Sequence, residues 1–139
     1  MICLDFEWQA NEFMLYCRTS QLREKSMMAY EQTLHLFVRW CAEEVRVVTV
    51  DKVTENVMRR YIEELQERGK YTFYANDKQK MTNYPERRRD FRKPISVVTI
   101  NNYIWNMHVC FNWLERDYVL HKNPMKKIRQ LNVNRMTEK

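Results

Sequence analysis

The sequence predicts an all-α fold, a bundle of four to five helices, on three observations. Apolar residues recur at steps of three and four along four separate stretches, the period of one face of an α-helix. A single Gly and three Pro leave little of the turn chemistry that hairpins and sandwiches need. With 139 residues, 45% apolar and 30% charged, the chain supports one domain with a core of its own.

The first helix is expected over residues 5–18, with Phe6, Ala10, Phe13, Met14 and Cys17 on one face and Asp5 as N-cap. Thr19–Leu22 breaks the pattern. A second helix runs from about Arg23 to Glu44, its stripe formed by Met27, Tyr30, Leu34, Phe37, Val38 and Cys41, with Trp40 at the edge. Arg23, Lys25 and Ser26 stand at its start. Basic residues there oppose the helix dipole, which an anion such as a DNA phosphate would reverse, although a long solvated face also accommodates them. Val45–Val53 is rich in β-branched residues and reads as an extended connector packed on the core. Thr54 caps a third helix striped by Val57, Met58, Tyr61, Ile62 and Leu65, and Gly69 sits where its left-handed C-terminal residue belongs.

Residues 70–94 differ in kind. They hold eight Lys/Arg against three acids, a net of +5 out of the chain's +6, interleaved with Tyr71, Phe73, Tyr74, Tyr84 and Phe91. Such a composition fits phosphate contacts by Arg87, Arg88 and Arg89 with aromatic stacking on bases, or a variable insertion, and a small hairpin around 76–79 is compatible with it. The fourth and longest helical stripe follows in Thr99–Pro124, with Ile100, Ile104, Met107, Phe111, Leu114 and Tyr118 on one side. Thr99 is the expected N-cap. Asn101 and Asn102 are expected outside the stripe, so that their replacement removes no core volume, and with Asn106 they leave the first two turns polar but uncharged. Pro124 stops the helix, a short basic helix over Met125–Leu131 is expected next, and 132–139 reads as a linker.

Several function classes are disfavoured. Cys3, Cys17, Cys41 and Cys110 are widely spaced, with no C-x-x-C pair and no neighbouring His at metal spacing, and read as buried reduced thiols. His35, His108 and His121 have no acid or Cys at ligand spacing, and there is no Gly-rich phosphate loop, so an enzyme in its own right is the weakest reading. The N-terminus lacks a signal pattern and no run approaches membrane-spanning length, so a soluble, cytoplasmic protein without membrane partners is expected. A pI of about 9.2 fits a polyanion partner.

Taken in order, Ser26 and Tyr30 in the run SMMAY, then Leu34, Phe37 and Trp40, Val53-Thr54, Thr99-Ile100-Asn101-Asn102-Tyr103, Phe111-x-Trp113-Leu114, and Asn123-Pro124 followed by Ile128 resemble the core-binding domain of tyrosine recombinases, the phage-integrase and Xer-type family, over roughly residues 10 to 131. The resemblance implies a SAM-like helical bundle over 1–131 with the second and fourth helices facing duplex DNA at their N-terminal ends. Carried over residue by residue, it assigns DNA contacts to Arg23, Lys25, Ser26, Thr99, Asn101, Asn102, Trp105 and Asn106. Lys and Arg would neutralise phosphates, Asn would bond base edges and Trp105 would pack on sugar or methyl groups. The implied partners are double-stranded DNA, a catalytic domain beyond residue 139 and other recombinase protomers on DNA, with no cofactor. Two departures stand out: the 70–94 insertion between the third and fourth helices, and the absence of the family's catalytic Arg, Lys, His-x-x-Arg and Tyr constellation. This chain alone is therefore not expected to cut DNA. The competing reading is a SAM-like protein-interaction domain, docking through a second stripe of Trp105, Val109 and Trp113.

Overall fold

The computed structural model of the protein describes residues 2–68, 93–117 and 119–132. Among them it holds four α-helices and no strand: α1 (Phe6–Thr19), α2 (Glu24–Glu44), α3 (Glu55–Glu67) and α4 (Val97–Arg116), with a 3-10 turn at Val50–Lys52. The cap expected at Gly69, the charged segment up to 92 with Arg87, Arg88 and Arg89, Tyr118 and the stretch 133–139 lie outside the described residues.

Local chemistry starts the helices. The Asp5 carboxylate accepts the Trp8 N–H at 2.9 Å and caps α1, and Thr54 Oγ1 accepts the Val57 N–H at 3.2 Å and caps α3. The cap of α4 is Ser96, not Thr99: Ser96 Oγ accepts the Thr99 N–H at 3.1 Å, so the helix begins three residues earlier than a Thr99 cap implied. Helices α1 and α2 are followed by residues with left-handed backbone, Gln21 and Arg46, both at φ 57°. The turn at Arg46 is closed by the Val47 N–H donating to the Cys41 carbonyl at 2.8 Å.

Phe37 is the point where the helices meet. Its ring lies 5.6 Å from Phe6 of α1, 4.7 Å from Tyr61 of α3 and 6.5 Å from Phe111 of α4. All four rings are buried, as are Leu34, Met58, Leu65, Ile100, Ile104, Met107 and Leu114, so the predicted stripes converge on one core. Trp40 belongs to that core rather than to its edge, stacked on Phe37 at 6.2 Å and tilted against Tyr61 at 5.0 Å. The connector after α2 packs on the core as expected but is extended only in part, since Arg46 is left-handed and Val50–Lys52 form a 3-10 turn: the Phe6 N–H donates to the Val48 carbonyl and the Val50 N–H to the Leu4 carbonyl, and Val50 and Val53 fill the core beneath.

After α4 the chain forms turns, not the short helix expected over Met125–Leu131. Asn123 Oδ1 takes the Met125 N–H at 2.9 Å, and the Lys126 and Ile128 amides reach back only three residues. The following backbone is claimed by α4. His108 Nε2 donates to the Ile128 carbonyl at 2.8 Å, while Asn101 bonds both the carbonyl and the amide of Leu131, so residues 128–131 run back along α4 toward its start. A helix there would withdraw those groups. Met125 and Ile128 are buried beneath this segment.

Candidate nucleic-acid interface

On α4 the residues opposite the core are Val98, Asn102 and Trp105, at steps of four and three. Val98 and Trp105 are 57% and 58% exposed, and no acidic or basic residue occupies the first turn. This half of the outer face is therefore uncharged, with an amide that can donate and accept and two apolar surfaces beside it. Those are the groups that read base edges and thymine methyls, and nothing on that stripe repels phosphate. Val98 was not among the residues the sequence singled out; its place four before Asn102 and seven before Trp105 was the signal.

At the start of α2, Arg23 is the N-cap residue and makes no side-chain cap bond, Glu24 is the acid of the first turn, and Lys25 is exposed with Ser26 half-buried beside it. The two sets are linked through the helix crossing, where Asn106 of α4 touches Thr33 of α2. Ser26 lies seven residues before Thr33 and Asn102 four before Asn106. At about 1.5 Å per residue and an axis separation of about 10 Å, the two points are at most roughly 30 Å apart. A helical turn of duplex is about 34 Å, so Ser26 and Asn102 fit within one turn.

The remaining sequence-predicted contacts are placed differently. Thr99 is half-buried and held to Ser96, whose hydroxyl donates to Thr99 Oγ1 at 2.9 Å. Asn101, expected outside the buried stripe, is inside it at 8% exposure, and Asn106, expected to contact DNA, is buried as well at 7%. Asn101 Nδ2 donates to the Leu131 carbonyl at 3.0 Å, its Oδ1 accepts the Leu131 amide at 2.6 Å, and its carbonyl accepts Gln130 Nε2 at 3.2 Å. Asn106 Nδ2 donates to Thr33 Oγ1 at 2.9 Å. Both ends of the Asn101 amide are thus spent within the fold, and Asn106 is buried with its Nδ2 committed to Thr33. Arg87, Arg88 and Arg89 lie outside the described residues.

The second stripe of α4 is divided. Trp105 is exposed, but Trp113 is buried against α1, 5.7 Å from the Phe13 ring and 5.5 Å from Tyr16. Beside it, Trp8, Leu15 and Tyr16 of α1 are exposed and line a shallow groove with Glu12, Trp113 and Asp117. Arg116 donates to the Tyr16 hydroxyl at 3.2 Å along its edge.

Reactive groups are shut away from this surface. Burial pushes the Cys41 thiol up to about 12 and raises Cys17 and Cys110, while burial, opposed by Arg68, raises the Tyr61 phenol, so all stay protonated near neutral pH. Cys3 departs from the expectation of buried thiols and is exposed, because it precedes α1. Among the described residues no three His, Cys, Asp or Glu side chains converge as a metal-holding group, and no described helix is long and apolar enough to cross a membrane.

Residues 10–76 match the family model of the phage integrase N-terminal SAM-like domain. The match runs from α1 through α2 and α3, and the α4 residues of the candidate interface lie beyond it. No curated protein and no solved structure matches the chain.

Proposed function

We propose that this chain, whose residues 10–76 carry the phage integrase N-terminal SAM-like domain, is the DNA-binding module of a tyrosine site-specific recombinase. It grips the recombination-site duplex as one jaw of a clamp during DNA integration or recombination. The observation that carries the reading is the uncharged, exposed stripe of Val98, Asn102 and Trp105 on α4, packed across α2, whose exposed start carries Arg23 and Lys25, in a fold of integrase type. In this division of labour Arg23 and Lys25 hold phosphates, Asn102 reads a base edge and Trp105 packs on sugar or methyl groups. Ser26 and Thr99 contribute hydroxyls at the margin. Arg87, Arg88 and Arg89 add sequence-independent phosphate contacts, since most of the chain's net charge of +6 comes from their segment.

Strand cleavage through a phosphotyrosine belongs, on this reading, to a catalytic domain joined through 132–139, with recombinase protomers assembling on DNA and no cofactor required. The test is anisotropy of a labelled duplex titrated with the chain across a salt series. The expected result is binding whose log affinity falls with log salt, by about 0.9 for each phosphate neutralised. Replacing Arg87, Arg88 and Arg89 by Ala flattens that slope by up to about 3. No binding to duplex at low salt overturns the reading. It would favour the competing one, a protein-docking domain, for which the specific observation is the exposed Trp8, Leu15 and Tyr16 on α1.

A further inference from the structure

The α2–α4 crossing contains a polar chain inside an otherwise apolar seam. Asn106 Nδ2 donates to Thr33 Oγ1 at 2.9 Å, and the Thr33 hydroxyl donates to the Ala29 carbonyl one turn back at 2.9 Å. Both side chains are buried, Thr33 at 2% and Asn106 at 7% exposure. Four and five residues further along the two helices the seam is apolar, with Phe37 against Phe111 at 6.5 Å. Apolar packing of this kind accepts more than one offset between two helices, because it is non-directional. A hydrogen bond near 2.9 Å accepts one.

We propose that the Thr33–Asn106 pair is a register lock that sets the spacing between the two DNA-facing helix starts and thereby the sequence selectivity of the module. The proposal rests on the DNA-binding reading above for its functional half. A slip of one helical turn displaces one helix by about 5.4 Å. Successive bases on one strand are about 3.4 Å apart, so the slip moves Asn102 and Trp105 by more than a base step relative to Arg23 and Lys25. Phosphate contacts survive such a shift and base contacts do not. Asn106 and Thr33 thus act as positioning residues, through Asn102 and Trp105. Buried polar residues at helix seams are suited to fixing register, at some cost in stability.

The test uses the whole chain and two probes: a pool of duplexes about three turns long with a randomised centre, and the duplexes that the unaltered chain enriches from it. Replacing both partners with apolar groups, Thr33→Val with Asn106→Leu, leaves no unsatisfied polar atom and keeps the fold. The expected outcome is affinity for the random pool within about twofold of the unaltered chain and a preference for the enriched duplexes reduced at least about tenfold. Thr33→Ser keeps the hydroxyl and retains the preference. A folded double variant with its preference intact overturns the proposal, as does a double variant that does not fold, since the pair then serves stability rather than register. A measurement without DNA separates this outcome from failure of the DNA reading. Nuclear Overhauser cross-peaks between the Phe37 and Phe111 rings are expected as one set in the unaltered chain and in Thr33→Ser, and as doubled or broadened sets in the double variant. One unchanged set in the double variant overturns the lock whatever the DNA result.

Discussion

The inner face of α4 carries Ile100, Ile104, Met107, Phe111 and Leu114 into the core, whereas the outer face of its first half carries Val98, Asn102 and Trp105 to the surface. Asn101 and Asn102 fall on either side of the division. The same side chain at adjacent positions closes the fold on Leu131 in one case and stands exposed in the other. Successive residues on a helix point about 100° apart, and here that rotation separates a structural amide from one available to a ligand. Residue type alone is therefore a poor guide to which polar side chain of a helix start contacts DNA.

The contrast is tested most strongly on the inner face. Ile104→Ala is expected to open a cavity at a fully buried position and to cost about 2–5 kcal/mol of unfolding free energy, read from urea denaturation. Retained stability would mean that α4 is not packed as described. Asn101→Ala is expected to cost about 1–3 kcal/mol, because the Leu131 amide and carbonyl lose their partner, and hydrogen exchange at the Leu131 amide should accelerate. Asn102→Ala is expected to leave stability within about 0.5 kcal/mol while costing about 1–3 kcal/mol against selected duplexes and much less against random ones. If competition binding and melting showed the two Asn variants behaving alike, the division of the helix into two faces would lose its functional meaning.

The buried side also has a pH signature. A thiol whose folded value is raised from 9.0 to about 12, as burial does for Cys41, keeps its proton in the folded state while the unfolded chain loses it. Its contribution is fully present below about pH 9 and declines as pH rises toward 12, by at most about 1.4 kcal/mol per pH unit. Urea midpoints taken on either side of pH 9 should show the decline, and Cys41→Ala should flatten it. The smallest effect belongs to the outer side: Lys25→Ala should reduce the salt slope of duplex binding by about 0.9 with no change in melting temperature. A slope that does not move would take the α2 start out of the interface.

Much of the fold was legible because it depends on period and on near neighbours. The stripes of α1, α2, α3 and α4 identified the buried faces, and Asp5 and Thr54 cap three residues ahead, within the reach of local pattern. Other features left weaker marks. The left-handed residues after α1 and α2 are Gln21 and Arg46 rather than Gly, so neither turn carried its usual signal. Ser96 and Thr99 are both competent caps, and only the path of the chain into α4 selects Ser96.

The sequence by itself determined that this chain builds helices, which sides of them are apolar, and that its composition and order of motifs resemble an integrase core-binding domain. Tertiary structure alone decided what the polar residues on those helices do. Asn101 is paired with a residue 30 positions away and Asn106 with one 73 positions away. Helical periodicity relates a residue only to those three or four positions from it. A buried amide needs a partner supplied by whichever distant segment packing brings alongside, and no local pattern records which segment that is.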